Sequence, residues 1–116
     1  MNDLNNLILE TVESYNTYLI KLPKGCQQIA EMFRIDQIQE ALKEIKNFTE
    51  GIIWMTDASS LLKANDVSID FKLEEMQDFF NEINDALTIQ DYNLVADLFE
   101  YELVDYFGNM SLVKLK

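Results

Sequence analysis

The chain has 116 residues, of which 9 are Lys or Arg, 21 are Asp or Glu and none is His, so the formal net charge is −12. Without histidine the chain lacks the usual zinc ligand and the usual general base, and one cysteine cannot form an internal disulfide. The negative charge opposes binding to nucleic acid or to anionic lipid, because both recruit Lys and Arg.

The composition favours a folded, helical protein. The chain is 48% hydrophobic and has only three Gly and one Pro. An all-β fold needs a turn every ~8–12 residues, and this chain lacks the residues for so many turns. We therefore expect one all-α domain over residues 1–116: an antiparallel helical bundle of four main helices plus one short helix.

The first predicted helix covers residues 3–21, where Ile8, Val12, Tyr15 and Leu19 recur at helical spacing. Pro23 is expected to end it, because proline lacks the N–H that a helix interior requires. A short helix is then expected over residues 26–33.

A long third helix is predicted to begin after Asp36, as its N-cap, and to run to Ala64. Gly51 lies in its interior, where we expect a neighbouring backbone to approach closely, with Trp54 covering the contact. The apolar positions alternate steps of three and four, the heptad-like seam of a helix bundle: Ile38, Ala41, Ile45, Phe48, Ile52, Met55, Ser59 and Leu62.

Two further helices are predicted, over residues 69–87 and 91–107, the second preceded by a capping signature at Thr88 and Asp91. Residues 110–116 are expected to form a loosely held tail. The seam of the fourth helix is again heptad-like: Ile69, Leu73, Met76, Phe80, Ile83 and Leu87.

The fifth helix has more apolar residues than one stripe can hold, which indicates either a core helix or a surface that something else covers. The first interpretation is a core helix whose tyrosine hydroxyls reach solvent. The second is a partner-binding or self-association surface, whose aromatic anchors would be Tyr92, Phe99, Tyr101 and Tyr106.

The acidic residues are concentrated in the second half of the chain. Residues 1–58 carry nine acids and five bases, whereas residues 59–116 carry twelve acids and four bases, with no base between Leu73 and Val113. One outer face of the fourth helix is predicted to carry Glu75, Asp78, Glu82 and Asp85. This row is either a solvated face or a docking surface for a basic partner.

The segment from Asp91 to Leu103, DYNLVADLFEYEL, resembles a stretch of small uncharacterised helical proteins of Gram-positive bacteria. In that group an Asp-Tyr pair opens a helix of similar pattern, and the run from Gly25 to Trp54 is similar to the upstream helices of the same group. The resemblance covers residues 25–107. It implies a helical bundle in a bacterial cytoplasm and carries no activity, ligand or cofactor.

Three functions are weighed. The first is a non-enzymatic cytosolic interaction module, such as an adaptor, chaperone or small regulator, that binds a protein partner through the fifth helix and the acids around it. The second is an acidic mimic of nucleic acid that blocks a DNA- or RNA-binding protein. The third and weakest is a carboxylate metalloenzyme, because bundle metal sites draw on His as well as Glu. We expect no cofactor and no membrane span, since no run of about eighteen apolar residues is present.

Overall fold

A computed structural model describes residues 2–115 of the chain. Within that range every regular element is a helix: α1 (Asn2–Arg34), α2 (Ile38–Ala64), α3 (Leu73–Thr88), α4 (Tyr92–Asp97), a π-helical segment (Leu98–Leu103) and α5 (Val104–Gly108). The last three follow one another without a break and are called the C-terminal helix (residues 92–108). The predicted all-α bundle is confirmed.

Helix α1 continues through Pro23, so the predicted break and the separate short helix are wrong. Proline removes one helical N–H and disfavours the helix locally. The apolar stripe nevertheless runs across it in unbroken steps of three and four, and burying that stripe outweighs the local penalty. The buried residues of α1 are Val12, Tyr15, Leu19, Leu22, Cys26, Ile29, Ala30 and Phe33.

Asp36 ends α1 and does not cap α2, so the predicted N-cap is also wrong. Its φ of 64° is left-handed, its N–H donates to the Phe33 carbonyl at 3.2 Å, and the N–H of Gln37 donates to the Met32 carbonyl at 2.8 Å. This pair of bonds is a Schellman motif, which satisfies carbonyls that the helix end leaves free. The seam predicted for α2 is confirmed, since six of its eight residues are buried and Ile38 and Ile45 pack against the core.

Helix α3 begins four residues later than predicted, and the predicted core position Leu73 is 41% exposed. Phe71, in the non-helical segment before α3, is fully buried in its place. The Lys63 ammonium donates to the Phe71 carbonyl at 3.0 Å and holds this segment against the end of α2. Helical spacing could not locate Phe71, because the residue lies outside any helix.

Helix α1 packs against both α2 and the C-terminal helix. Phe33, near the end of α1, stacks on Tyr92 at the start of the C-terminal helix, and Val113, beyond the end of that helix, bonds to Asn16 in the first half of α1. The two helices are therefore antiparallel. Phe48 of α2 contacts both α3 and the C-terminal helix. Its ring centroid lies 6.0 Å from that of Phe80, 5.4 Å from that of Phe99 and 6.1 Å from that of Phe107. The described chain extends 52 × 22 × 21 Å, which matches the ~50 Å length of a 33-residue helix.

The segment after the C-terminal helix is tied to the bundle, so the expectation of a loose tail is wrong at two positions. Val113 is buried, and it exchanges two hydrogen bonds with the Asn16 side chain: its N–H donates at 2.8 Å and its carbonyl accepts at 3.0 Å. The N–H of Ser111 donates to the Asp70 carboxylate at 3.0 Å. An asparagine amide offers both a donor and an acceptor, and here both are satisfied.

Candidate protein-interaction site

Burial confirms that the C-terminal helix is a core helix. Val95, Ala96, Leu98, Phe99, Leu103 and Phe107 are all buried. Phe99 is fully enclosed and packs edge-to-face on Phe48. Phe99 is therefore wrong as a partner-binding anchor, because its ring is already committed to the core.

The three tyrosines of the predicted surface have different surroundings. Tyr92 is half-buried against Phe33. Tyr106 is half-buried with its ring centroid 5.1 Å from that of Phe79, and its hydroxyl donates to Glu75 at 3.2 Å. Burial, together with the Glu75 carboxylate, raises the pKa of Tyr106 above its usual value. Tyr101, at 61% exposed, is the one anchor of the four that faces solvent.

The predicted acidic row of α3 is exposed along its whole length: Glu75, Asp78, Glu82 and Asp85. Glu75 accepts the Tyr106 hydroxyl, and no Lys or Arg of residues 2–115 forms an ion pair with any of the four. The row keeps its negative charge at the surface. Like charges at these spacings repel weakly, by about 0.2–0.5 kcal/mol per pair.

A concave site lies beside this row, between α3 and the C-terminal helix; we call it the acidic groove. Its volume is about 400 Å³. Ile89 is 71% exposed and Leu94 43% exposed at this site. The groove combines an apolar floor of Ala86, Ile89, Leu94 and Leu98 with the carboxylates of Glu82, Asp85 and Glu102.

The turn between α3 and α4 builds one end of the groove. Gln90 adopts a left-handed φ of 57° and closes α3 in a Schellman motif, with its N–H bonded to Leu87 and that of Asp91 to Ala86. The Asp91 carboxylate accepts the Leu94 N–H at 3.1 Å and caps α4, so the cap is Asp91 itself and not Thr88. The chain reverses within three residues and leaves the Ile89 side chain in solvent.

Cations and acids are distributed unevenly around the C-terminal helix. Arg34, at the end of α1, pairs with Asp97 at 2.8 Å and with Glu100 at 3.2 Å. The hydroxyl of Tyr101 and the Arg34 guanidinium lower the pKa of the Glu100 carboxyl. Among residues 2–115 no such ion pair reaches Glu82, Asp85 or Glu102, so the groove retains the uncompensated charge.

In a comparison with known protein families, the model of the Domain of unknown function (DUF8042) matches residues 10–112. The chain belongs to this family. The matched range contains the whole acidic groove. No curated protein and no solved structure matches the chain.

In the described part of this DUF8042 domain, the candidate metal ligands are dispersed and the one cysteine is buried. Within residues 2–115, no three His, Cys, Asp or Glu side chains are grouped so that they could hold a metal ion. Cys26 is buried in the last third of α1, and burial raises its pKa to about 12, so the group stays a thiol near neutral pH. No helix in the same range is both long and apolar enough to cross a membrane.

Sequence reasoning identified two of the groove acids, Glu82 and Asp85, and missed its apolar floor and Glu102. A signal for part of the floor was present, because Glu82, Asp85, Ala86 and Ile89 follow steps of three, one and three and share one helical face. Nothing in the spacing indicated that the face continues onto Leu94, since that contact depends on how the turn reverses the chain.

Proposed function

We propose that this DUF8042 domain is a non-enzymatic protein-interaction module whose acidic groove binds a basic amphipathic helix of a partner protein. The observation that carries the proposal is the combination of exposed Ile89 and Leu94 with three carboxylates that have no cationic partner in residues 2–115. We place the domain in a bacterial cytosol, where a single free thiol such as Cys26 is stable.

The apolar floor supplies the reason for binding. Large exposed apolar side chains that lie together mark interaction sites on monomeric proteins. A groove between two helices is a common receptor for an amphipathic helix, whose apolar face enters the groove. Ile89 and Leu94 would contact leucine-like side chains of the partner, above Leu98 at the bottom of the groove.

The acidic rim makes the groove selective for partners with basic side chains. Glu82 and Asp85 on one wall and Glu102 on the other would face Lys or Arg beside the partner's apolar stripe. The row that continues from Asp85 back to Glu75 would attract the same partner at longer range. A second copy of this chain suits the groove less well, because it carries the same charge of −12.

The test uses a fluorescent amphipathic peptide of about 18 residues made of Leu and Lys, with a scrambled peptide of the same composition as its control. Binding is measured by fluorescence anisotropy. We expect Ile89→Ser with Leu94→Ser, and separately Glu82→Gln with Asp85→Asn, to weaken binding about tenfold or more. The matched control is Ile53→Ser with Glu50→Gln on α2, which should bind as the unmodified chain does.

The same variants separate this function from the nucleic-acid mimic, which the unpaired row Glu75, Asp78, Glu82 and Asp85 supports. A mimic needs the acids and not the apolar floor. Loss of peptide binding on changing the acids, with none on changing Ile89 and Leu94, would favour the mimic. If neither pair of changes weakened binding more than the control, the groove would not be the binding surface.

A further inference from the structure

A second concave site, independent of the acidic groove, lies between α1 and α2; we call it the α1–α2 cavity. Its volume is about 610 Å³, within the ~300–1,000 Å³ usual for small-molecule sites. Leu22, Ile29 and Phe48 are buried residues that line it. A site of this size and lining suits a small molecule with an apolar body.

The α1 segment that lines this cavity contains residues that a helix interior disfavours. Gly25 lies in the helix interior, and a Cβ placed on it would have no atom within 4 Å. Packing therefore does not require glycine here, and most other residues would favour the helix more. Pro23 lies two residues away in the same segment. The absent side chain at Gly25 keeps open a volume that any larger residue would begin to fill.

The charge of the lining differs from that of the molecule as a whole. Lys21 and Lys24, two of nine cationic side chains in the chain, line the cavity together with one carboxylate, Glu44. The remaining residues of the lining with polar side chains are Tyr18, Gln28 and Asn47. The lining is thus net positive in a strongly negative protein, which favours an anionic group at this place.

We propose that the α1–α2 cavity binds a small amphipathic anion, an aliphatic chain that ends in one carboxylate. The carboxylate interacts with Lys21 and Lys24, and the aliphatic chain contacts Leu22, Ile29 and Phe48. This site does not depend on the acidic groove, so each can be tested without the other.

The probe is decanoate, added to isotopically labelled full-length chain below its micellar concentration and followed by amide NMR shifts. We expect saturable shifts at Gly25, Gln28 and Asn47. Decyltrimethylammonium, which has the same aliphatic chain and the opposite charge, should shift these amides at least about tenfold less at equal concentration. Equal shifts from the two probes, or none from decanoate, would overturn the proposal.

Two variants locate the binding. Gly25→Leu places a side chain in the cavity, and Lys21→Glu with Lys24→Glu reverses the charge while leaving the core intact. Each should weaken decanoate binding about tenfold or more. Lys43→Glu with Lys46→Glu, at two exposed positions of α2 outside the cavity lining, makes the same change of net charge and should bind normally. Decanoate binding that survives the double lysine change unaltered would show that the cavity lysines do not hold the anion.

Discussion

At the residue scale, the two glycines in helix interiors, Gly25 and Gly51, have opposite surroundings. Gly51 of α2 faces Tyr18, and a Cβ at Gly51 would overlap the Tyr18 hydroxyl. The expected close approach is therefore made by a tyrosine side chain and not by a neighbouring backbone. Trp54 packs edge-on against the Tyr18 ring with centroids 6.1 Å apart, as its predicted covering role requires.

We expect Gly51→Ala to destabilise the fold although alanine favours a helix by about 1 kcal/mol. The overlap forces the Tyr18 ring out of its packed position against Trp54, and such overpacking costs about 1–3 kcal/mol. Gly25→Ala is the matched control, because it adds the same methyl group where no atom lies within 4 Å. It should stabilise by up to about 1 kcal/mol in urea unfolding. Similar gains in stability in both variants would show that contact with Tyr18 does not require glycine at position 51.

The buried hydroxyl of Tyr15 and thiol of Cys26 make stability sensitive to alkaline pH. Burial raises the pKa of Tyr15 from 10.0 to about 12 and that of Cys26 from 9.0 to about 12. The folded state therefore keeps protons that the unfolded state releases, and stability is complete below about pH 9 and falls as the pH rises toward 12.

We expect the urea midpoint to fall between about pH 7 and about pH 10.5, and to fall less in Cys26→Ala and in Tyr15→Phe. The two substitutions also change stability near neutral pH, so the quantity compared is the change in each protein's urea midpoint between the two pH values. An equal fall of the urea midpoint in all three proteins would mean that other groups cause the loss of stability at alkaline pH.

At the element scale, three helices end in the same way without glycine. The residues that adopt the left-handed conformation are Asp36 after α1, Asp66 after α2 and Gln90 after α3. Each donates its N–H to the carbonyl three residues back, and the next residue donates to the carbonyl five residues back. Glycine is the usual residue at this position, because a Cβ makes it unfavourable by about 1–2 kcal/mol.

Gln90→Gly should therefore stabilise the chain by about 0.5–1 kcal/mol, since the relief of strain exceeds the added freedom of the unfolded chain. Gln90→Ala is the control, because it keeps the Cβ and should give no gain. The measurement is the free energy of unfolding of the unmodified chain and the two variants, obtained by chemical denaturation. A gain from alanine equal to that from glycine would mean that the glutamine side chain, and not its backbone, limits stability.

The elements were predictable where one periodic stripe decided the structure. The α2 seam from Ala41 to Leu62 followed from spacing alone, because burial of a helix face dominates helix formation in proteins. The ends and interruptions were not predictable. Pro23 predicts a helix break, but burial of the apolar stripe keeps α1 continuous. Asp36 is of a residue type that is common at N-caps, but here it ends the preceding helix. In both cases tertiary packing or backbone geometry prevails over a local preference.

At the scale of the whole molecule, the net charge of −12 is unevenly compensated. Arg34 forms ion pairs with Asp97 and Glu100 beside α1, whereas Glu82, Asp85 and Glu102 face the acidic groove without an ion pair in residues 2–115. The sequence identified the base-free stretch from Leu73 to Val113. It could not separate the compensated acids from the free ones, since Arg34 lies more than sixty residues away in the chain.

The candidate site divides in the same way. Two of its acids, Glu82 and Asp85, could be predicted from charge and helical spacing. Glu102 could not, nor could the apolar floor, which joins the turn after α3 to the next helix. The sequence predicts Phe99 as an anchor because aromatic residues are common both in cores and in interfaces. Its complete burial and its packing against Phe48 assign the ring to the core.

The central claim is that the acidic groove is the surface that binds a basic amphipathic helix. The most direct measurement is amide NMR mapping of the labelled chain during titration with the Leu/Lys peptide, at about 50 and about 200 mM salt. We expect saturable shifts concentrated in residues 82–102 that weaken at the higher salt without disappearing, because apolar contacts persist when charge is screened. Shifts concentrated on α1 and α2 instead, or no saturable shifts at either salt concentration, would contradict the claim.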